Sequence, residues 1–225
     1  MTLNISRLQL FFEQRKRQVI VFYIIFYTVG VVGMLVPAWF PFFLQLVPWA
    51  LMLSFVGLLL FHSRHGYRKS LAVFAGLYLL GFFIEVVGVN SGAVFGKYQY
   101  ENTLGLQLFH TPLMIGINWI FLSYTAVSMM QNVTKNVLVQ MVGAPLVMLG
   151  YDLVLEPMAP IMKMWRWDGS MVPLQNYIAW WIIGFLFVAI YKAFRIETKN
   201  KMAFVLFCCQ FFFFVVLFIR FKWLS

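Results

Sequence analysis

The chain has 225 residues, of which 63% are hydrophobic and only 11% are charged, a composition that excludes a water-soluble domain and is typical of an integral membrane protein. Its net charge of +10 could indicate a nucleic-acid partner, but the basic residues fall in short loops between apolar runs, where they orient a membrane protein. We therefore expect a lipid bilayer as a partner and no nucleic acid. The two cysteines, Cys208 and Cys209, are adjacent and form no metal pattern.

Seven apolar runs are each close to the roughly 20 residues that one membrane-spanning helix needs. They cover residues 19–36, 42–61, 71–89, 112–130, 137–156, 174–194 and 203–221. The connections between them are short. The predicted fold class is therefore all-α: a polytopic membrane helix bundle of about seven transmembrane helices, which form a single integral membrane domain over residues 1–225.

Basic residues are distributed unevenly over the predicted loops. Of the 17 lysines and arginines, 12 fall on the side of the N-terminus and 5 on the opposite side. The positive-inside rule then predicts a cytoplasmic N-terminus in the cell membrane, with the C-terminus outside. Residues 36–39 offer no signal-peptide cleavage site, so the first run is expected to be a retained anchor. Residues 1–18 mix apolar and basic side chains, which fits either an interfacial helix or a basic tail that fixes orientation.

Acidic residues show the opposite distribution. On this topology five of the seven fall in the outer half of the helices or in the outer loops: Glu85, Glu101, Asp152, Glu156 and Asp168. An ionised carboxylate at mid-bilayer costs roughly 2.5–3.5 kcal/mol on insertion scales. Three of these acids, Glu85, Asp152 and Glu156, lie in or at the edge of apolar runs, so each needs a function or a structural partner on the non-cytoplasmic side.

Glu85 lies in the third run, on one helix face with Tyr78, Gly81 and Gly88, because residues three and four apart are neighbours on a helix. Glycines at this spacing are typical of close helix packing. Packing alone would explain the glycines, but it would leave the carboxylate unexplained.

Asp152 and Glu156 lie four residues apart in the fifth run, on a helix that Pro157 is expected to end. Two neighbouring carboxyl groups in a poorly solvated site raise the pKa of at least one of them, so that one holds a proton near neutral pH while the other stays ionised. The alternative is a structural pair bound to Lys163 or Arg166.

Aromatic and amide side chains accompany the acids in the outer loops and at the starts of the following runs. They are Tyr98, Tyr100, Asn118, Trp119, Trp165, Trp167 and Asn176. The order acid, aromatic loop, proline, asparagine, tryptophan occurs twice, and a parallel duplication would place the two sets face to face across one cavity. The alternatives are an interfacial aromatic belt and amides that only tie helices together.

Motifs for cofactor chemistry are missing from the sequence. Three histidines, His62, His65 and His110, are too few for a membrane di-iron oxygenase, and no Gly-x-Gly-x-x-Gly follows a strand. We therefore expect no metal and no cofactor. Acid and base chemistry in an aromatic cavity open to lipid suits an apolar polyene, because protonation of a trisubstituted alkene gives a tertiary carbocation that aromatic faces and a carboxylate stabilise.

Two stretches carry a more specific pattern. One runs from Glu85 through Phe95-Gly96-Lys97-Tyr98-Gln99-Tyr100 to Pro112 and Asn118-Trp119, and the other comprises Asp152 to Pro157, Trp165-Arg166-Trp167, Pro173 and Asn176. Together they span residues 85–180, and their order resembles the cofactor-free membrane carotenoid hydratases that act on the acyclic ψ end of lycopene, γ-carotene or bisanhydrobacterioruberin. Asn90 and Ser91 depart from that family's pattern.

The resemblance implies a hydro-lyase, a carotenoid 1',2'-hydratase that adds water to the terminal double bond of an acyclic or monocyclic carotenoid. The catalytic groups would be Glu85, Asp152 and Glu156. An acid among Asp152 and Glu156 would donate the proton, and Glu85 would stabilise the cation or deprotonate water, or the roles would be reversed. The seven aromatic and amide side chains above would bind the end group, and Glu101 and Asp168 are secondary candidates.

Two other functions fit the same residues. A cofactor-free carotenoid cyclase would use the same protonation but exclude water, so that an internal double bond attacks the cation. A transporter or a non-catalytic assembly subunit of the pigment pathway would use the buried acids to carry protons or to hold its structure.

Overall fold

The computed structural model describes residues 2–169 and 171–223, and for residues 2–6 it describes the backbone only. Along these residues the helices are α1 Thr2–Gln14, α2 Lys16–Leu35, α3 Phe40–Leu60, α4 Tyr67–Ser91, α5 Met114–Val133, α6 Val137–Leu155, α7 Leu174–Ala193 and α8 Ala203–Phe218, which continues as a π-helical turn, Ile219–Trp223. Helix makes up 71% of the structure, which confirms the predicted all-α fold class.

Six of these helices, α2, α3, α4, α6, α7 and α8 with its extension, are long and apolar enough to cross a membrane. The chain is therefore a multi-pass membrane protein. Helix α5 is also 20 residues long, but polar residues such as Asn118 and Ser123 lower its hydropathy. It packs against α3, α4, α6, α7 and α8, so it is the central helix of the bundle. A count of seven spans stays a prediction.

The segments that connect the helices gather at two ends of the bundle. At one end the Ser63 hydroxyl donates to a Glu197 carboxylate oxygen at 2.6 Å, and the Gln9 amide of α1 donates to the carbonyls of Leu59 and His62. At the other end the 92–113 and 156–173 segments meet through short strands. Successive connecting segments thus lie at alternate ends of the bundle, as the sequence predicted. The cytoplasmic position of the N-terminus and the interfacial position of α1 stay predictions.

The strands form two small antiparallel pairs at the end that carries the acids. Strands β1 Tyr98–Tyr100 and β4 Trp165–Trp167 pair with each other, and β2 Gln107–Leu108 pairs with β3 Thr111–Pro112. In the first pair Tyr98 lies opposite Trp167 and Tyr100 opposite Trp165. Because side chains alternate along a strand, these four rings share the inner face, while Gln99 and Arg166 are exposed on the outer face.

The glycines of α4 and of the following segment make room for aromatic rings. A Cβ atom on Gly81 would lie 3.0 Å from Trp119, and one on Gly88 would lie 2.5 Å from Phe95. The close packing predicted for the glycines of α4 is therefore present, on the same face as the carboxylate. Gly96 has φ +105° and leaves space for Pro173, whose Cγ would lie 2.6 Å from an added Cβ.

The β2–β3 hairpin turns through Phe109 and His110, which both have positive φ, 53° and 61°. Such two-residue turns normally use asparagine or glycine, so this backbone is strained. Asn90 of α4 holds the turn in place: its amide donates to the Phe109 carbonyl at 3.0 Å, and its amide oxygen lies 2.9 Å from His110 Nδ1. Asn90 thus ties the strained turn to the end of α4.

Candidate active site

Glu85 on α4 is buried, with 5% of its surface exposed, and ring donors satisfy its carboxylate. The hydroxyls of Tyr98 and Tyr100 donate to Oε2 at 2.6 and 2.8 Å. The Trp119 indole Nε1 donates to Oε1 at 2.9 Å. Three donors replace the water that an ionised carboxylate loses on burial, so they favour the charged form.

The tyrosines that bind Glu85 lie outside the membrane-spanning helices, on β1. Burial raises the pKa of Tyr98, and the neighbouring Glu85 carboxylate raises it further. Burial and Glu85 raise the pKa of Tyr100 in the same way. Both phenols therefore keep their protons at neutral pH and serve as hydrogen-bond donors.

Glu156 lies one residue beyond the end of α6 and receives a matching set of donors. The indole Nε1 atoms of Trp165 and Trp167 donate to its Oε2 at 3.1 and 2.8 Å, and the Asn176 amide lies 3.3 Å from Oε1. Burial raises the pKa of Glu156, and the N–H donors of Trp167 and Trp165 act against that rise. Each of the two glutamates is thus held by two rings from the strand that follows it.

Asp152 is fully buried on α6, one turn below Glu156. Its Oδ2 accepts from the Asn176 amide at 3.1 Å, so one amide group bridges the two acids. Among the residues that the structure describes, Oδ1 has no hydrogen-bond partner. A carboxyl group with one unpaired oxygen next to a second carboxyl group is suited to hold a shared proton.

The alternative of an ion pair for these acids is not supported within the described residues. The one salt bridge found there joins Lys201 to Glu13 at the opposite end of the bundle. Lys163 and Arg166, the predicted partners of a structural pair, are exposed. The buried acids are therefore satisfied by neutral donors.

Glu85 and Glu156 line one cavity of about 30 Å³ beneath the β1–β4 pair. The other lining residues are Phe95, Tyr98, Tyr100, Ile115, Asn118, Trp119, Trp165, Trp167, Asn176 and Trp180. A cavity of this size holds about one or two water molecules. The structure therefore brings all seven predicted aromatic and amide residues to one place.

Three predicted acids lie off the wall of this cavity. Asp152 does not line the cavity, and the Asn176 amide, which does, donates to it. Glu101 lines a separate open groove of about 690 Å³ between the start of α3 and residues 101–106. Asp168 is exposed, and its backbone N–H donates to the Lys97 carbonyl. Neither secondary candidate is part of the acid cavity.

Asn118 differs from the other lining residues because its amide is uncommitted. In the described part of the chain no hydrogen bond to this side chain is present, although it faces a cavity with two carboxylates. Among the described residues no group of three His, Cys, Asp or Glu side chains is placed to hold a metal ion. The site offers proton donors, proton acceptors and room for water.

Sequence reasoning did not assign Phe95, Ile115 and Trp180 to the site. Trp180 packs on Trp119 with ring centroids 4.6 Å apart. The repeated pattern contained a signal for it, since a tryptophan comes after the asparagine in both stretches, Trp119 directly after Asn118 and Trp180 four residues after Asn176. No pattern in the sequence singled out Ile115, because an isoleucine in an apolar run carries no information about which helix face lines a cavity.

Fold and site together define a multi-pass α-helical membrane protein with buried, ring-bound carboxyl groups at one end of the bundle. A model of the carotenoid biosynthesis protein family matches residues 44–224, a stretch that begins within α3 and extends past α8. The chain belongs to this family, which confirms the resemblance at the level of the family. No curated protein and no solved structure gave a significant match to the chain.

Proposed function

We propose that this protein is a carotenoid hydratase that adds water across the terminal double bond of an acyclic carotenoid end group. One observation carries the proposal: two carboxyl groups, each held by two ring donors from the following strand, face one water-sized cavity. Membership in the carotenoid biosynthesis family supports the substrate class.

The reaction begins with transfer of a proton from the Asp152–Glu156 pair. Glu156 lines the cavity and presents the proton, and the Asn176 amide holds Asp152 beside it by donating to both carboxyl groups. The proton adds to the less substituted carbon of the terminal alkene, and the positive charge falls on the tertiary carbon. Aromatic faces and the ionised Glu85 stabilise that charge.

Water completes the addition. A water molecule held by the free amide of Asn118 forms a C–O bond to the tertiary carbon, and Glu85 accepts the proton that this water loses. The product gains one water, Glu156 has lost one proton and Glu85 has gained one. Return of that proton to Glu156 through cavity water restores the starting state. If Glu85 were the proton donor and Glu156 the proton acceptor, the protons would balance in the same way.

The cavity is too small for a carotenoid end group in this conformation. A volume of about 30 Å³ is well below the roughly 300 Å³ at the lower end of ligand pockets. The β1–β4 pair covers the cavity, and its four rings are hydrogen-bonded to Glu85 and Glu156. We therefore infer that this pair moves outward when the end group enters between the carboxyl groups.

Hydration is favoured over cyclisation by the character of the cavity. A cyclase has to exclude water from the cation, whereas this cavity holds a free amide beside two carboxylates. The two reactions differ in product mass, because hydration adds one water and cyclisation adds nothing.

The experiment is expression of the full chain in a lycopene-producing host, with mass analysis of the pigments. Native protein is expected to give a product heavier than lycopene by one water. Glu85→Gln and Glu156→Gln should each lower product by a hundredfold or more, since a positioned acid or base contributes about 10²–10⁴. Glu13→Gln at the opposite end is the matched control. A cyclic product of unchanged mass, or hydration that survives both substitutions, would refute the proposal.

A further inference from the structure

An open groove of about 690 Å³ lies beside α3, outside the acid cavity, and is called the α3 groove below. One side of it is a stripe of α3 residues that lie three and four positions apart and therefore share one helix face. They are Pro41, Leu44, Gln45, Pro48, Trp49 and Met52. Residues 101–106, the start of α5 and Lys163 form the other side. The volume is within the range of about 300–1,000 Å³ that ligand pockets have, and no step of the hydration described above uses this groove.

Three parts of the chain contribute both to the acid cavity and to the α3 groove. In each of the following pairs the first residue lines the cavity and the second lines the groove: Tyr100 and Glu101, Ile115 and Met114, and Trp165 and Lys163. Residues next to each other in the chain have Cα atoms only about 3.8 Å apart, so the cavity and the groove adjoin. Tyr100, which is half-buried, belongs to the β1–β4 pair that moves when an end group enters.

The α3 groove opens to lipid along its length. Trp49 on α3 is 72% exposed and Leu106 on the other side is 77% exposed, and α3 is one of the helices long and apolar enough to cross a membrane. From Pro41 to Met52 the stripe extends about 16 Å at 1.5 Å per residue, roughly half of the hydrocarbon thickness of a bilayer. A ligand dissolved in the membrane can therefore enter the groove from the side.

Polar and apolar residues are separated along the α3 groove. Glu101, Asn102 and Lys163 come from the connecting segments at the end of the bundle that carries the acids, whereas the stripe on α3 is apolar apart from Gln45. The charges therefore lie nearest to water, and the apolar part extends into the membrane. The ring of Trp49 offers a flat face, which packs well against a flat conjugated chain.

A second groove, of about 430 Å³, adjoins the acid cavity at α7. It is shallower, because Leu174, Ile178 and Ile182 at its wall are each more than half exposed. In the α3 groove, by contrast, Leu44 and Leu104 are buried. The α3 groove therefore encloses a ligand better, and the α7 groove serves as its control.

A carotenoid is far longer than a cavity of about 30 Å³, so the conjugated chain has to leave through the wall of the acid cavity when the end group is inside. We propose that the α3 groove binds this conjugated chain. The polyene lies along Pro48 and Trp49, and its end group reaches the carboxyl groups past Tyr100 and Ile115. The inference rests on the proposed function for the position of the end group, and it adds a binding site for the rest of the substrate.

The test measures lycopene binding by circular dichroism in the visible band, with the full chain in phosphatidylcholine nanodiscs. Lycopene is achiral, so the band gives no signal in empty nanodiscs and gives one when a protein fixes the chain. Native protein is expected to give a signal that saturates with lycopene. Gln45→Trp places an indole in the groove from an exposed position, and it should weaken binding about tenfold because the indole overlaps the chain.

Two tryptophan substitutions are matched controls. Leu46→Trp changes the next residue of α3, which does not line the α3 groove, and Ile178→Trp fills the α7 groove. Both should bind lycopene as native protein does. If native protein gives no signal, a phospholipid occupies the groove and the inference is overturned. Weaker binding in Ile178→Trp with native binding in Gln45→Trp would place the chain along α7 and overturn it as well.

Chain length provides an independent measurement. β-Farnesene is a much shorter hydrocarbon with the same terminal alkene, so it reaches the acid cavity without filling the α3 groove. Gln45→Trp should lower kcat/KM about tenfold for lycopene and leave that for farnesene unchanged. An equal loss for both substrates would show a general defect of the variant and contradict the inference.

Failure of the hydratase proposal would be seen separately. Hydration of the end group leaves the conjugated chain unchanged, so the circular dichroism signal reports binding whether or not water is added. A signal that Gln45→Trp abolishes, in a protein that forms no hydrated product, would refute the hydratase proposal and support the binding site.

Discussion

At the scale of single residues, the buried acids depend on neutral ring donors. Glu85 accepts from two phenols and one indole, and Glu156 accepts from two indoles and one amide. A cationic partner would hold the carboxylate in its ionised form, whereas neutral donors hold the group in place and leave it able to take up and release a proton. This arrangement suits acid and base chemistry better than a structural ion pair does.

Removing one donor tests how much the ring contacts contribute. Tyr98→Phe deletes a 2.6 Å hydrogen bond to Glu85 and leaves the ring in place. We expect the rate of hydration to fall about tenfold, because a hydrogen bond to a charged group contributes about 1.5–3 kcal/mol and part of this is recovered by cavity water. The measurement is kcat in nanodiscs. Tyr67→Phe, at the opposite end of the bundle, is the control, and equal rates for the two variants would contradict the expectation.

The indole donors also influence the pH at which Glu156 loses its proton. Burial raises the pKa of Glu156 and the Trp167 N–H lowers it, so an acid at this position is active at low pH and loses activity as pH rises through that pKa. Trp167→Phe removes a donor that favours the ionised form, so the alkaline limb of the rate profile should move to higher pH. The pH dependence of kcat measures this shift. A limb that stays in place, or moves to lower pH, would show that Glu156 is not the acid.

At the scale of elements, the sequence predicted helices better than it predicted contacts between loops. Apolar runs gave each membrane helix to within a few residues, because length and hydropathy decide a spanning helix. The register of β1 against β4 could not be predicted, since it depends on two segments more than sixty residues apart. The repeated sequence pattern made Asp152 the counterpart of Glu85. In the structure the tryptophans of β4 bind Glu156 instead, because α6 ends at Leu155 and Asp152 lies one turn deeper in the helix.

The β1–β4 pair depends on Gly96, which a single substitution can test. Gly96 has φ +105°, and an added Cβ would lie 2.6 Å from Pro173 Cγ. Gly96→Ala should therefore lower the free energy of unfolding by about 1–3 kcal/mol, measured by thermal unfolding in detergent. Gly76→Ala, where an added Cβ meets nothing within 4 Å, should instead raise stability by up to about 1 kcal/mol. Equal effects at both positions would exclude backbone strain at Gly96.

At the scale of the whole molecule, the two ends of the bundle have different polar chemistry. The end with the acids holds carboxyl groups and ring donors around a cavity. The other end holds a packed network in which His62 Nδ1 lies 2.7 Å from the Tyr124 hydroxyl and the Asn200 amide donates to the Leu58 carbonyl at 2.9 Å. Charge distribution alone predicted which end would be acidic, but nothing in the sequence indicated that His62 would be buried rather than exposed among the basic residues near it.

Burial of His62 predicts a loss of stability in acid. His62 lies in the 61–66 segment between α3 and α4, with 3% of its surface exposed. Burial lowers its pKa from 6.5 to about 4, although Glu197 acts in the opposite direction. The unfolded chain takes up a proton on His62 below pH 6.5 and the folded chain does not, so stability falls as pH decreases towards about 4. The full effect of such a difference is about 3 kcal/mol.

The raised pKa of Glu156 acts against the effect of His62, because it stabilises the folded state at low pH. The contribution of His62 is therefore obtained by comparing the native protein with a variant that lacks only this histidine. Thermal unfolding of native protein and of His62→Gln is compared between pH 7 and pH 4.5. The native chain should lose more stability on acidification than the variant, because glutamine takes up no proton in the unfolded state. His110→Gln, an exposed histidine on the β2–β3 turn, should follow the native curve. If His62→Gln follows the native curve too, the network around His62 opens to water and its imidazole is not held neutral.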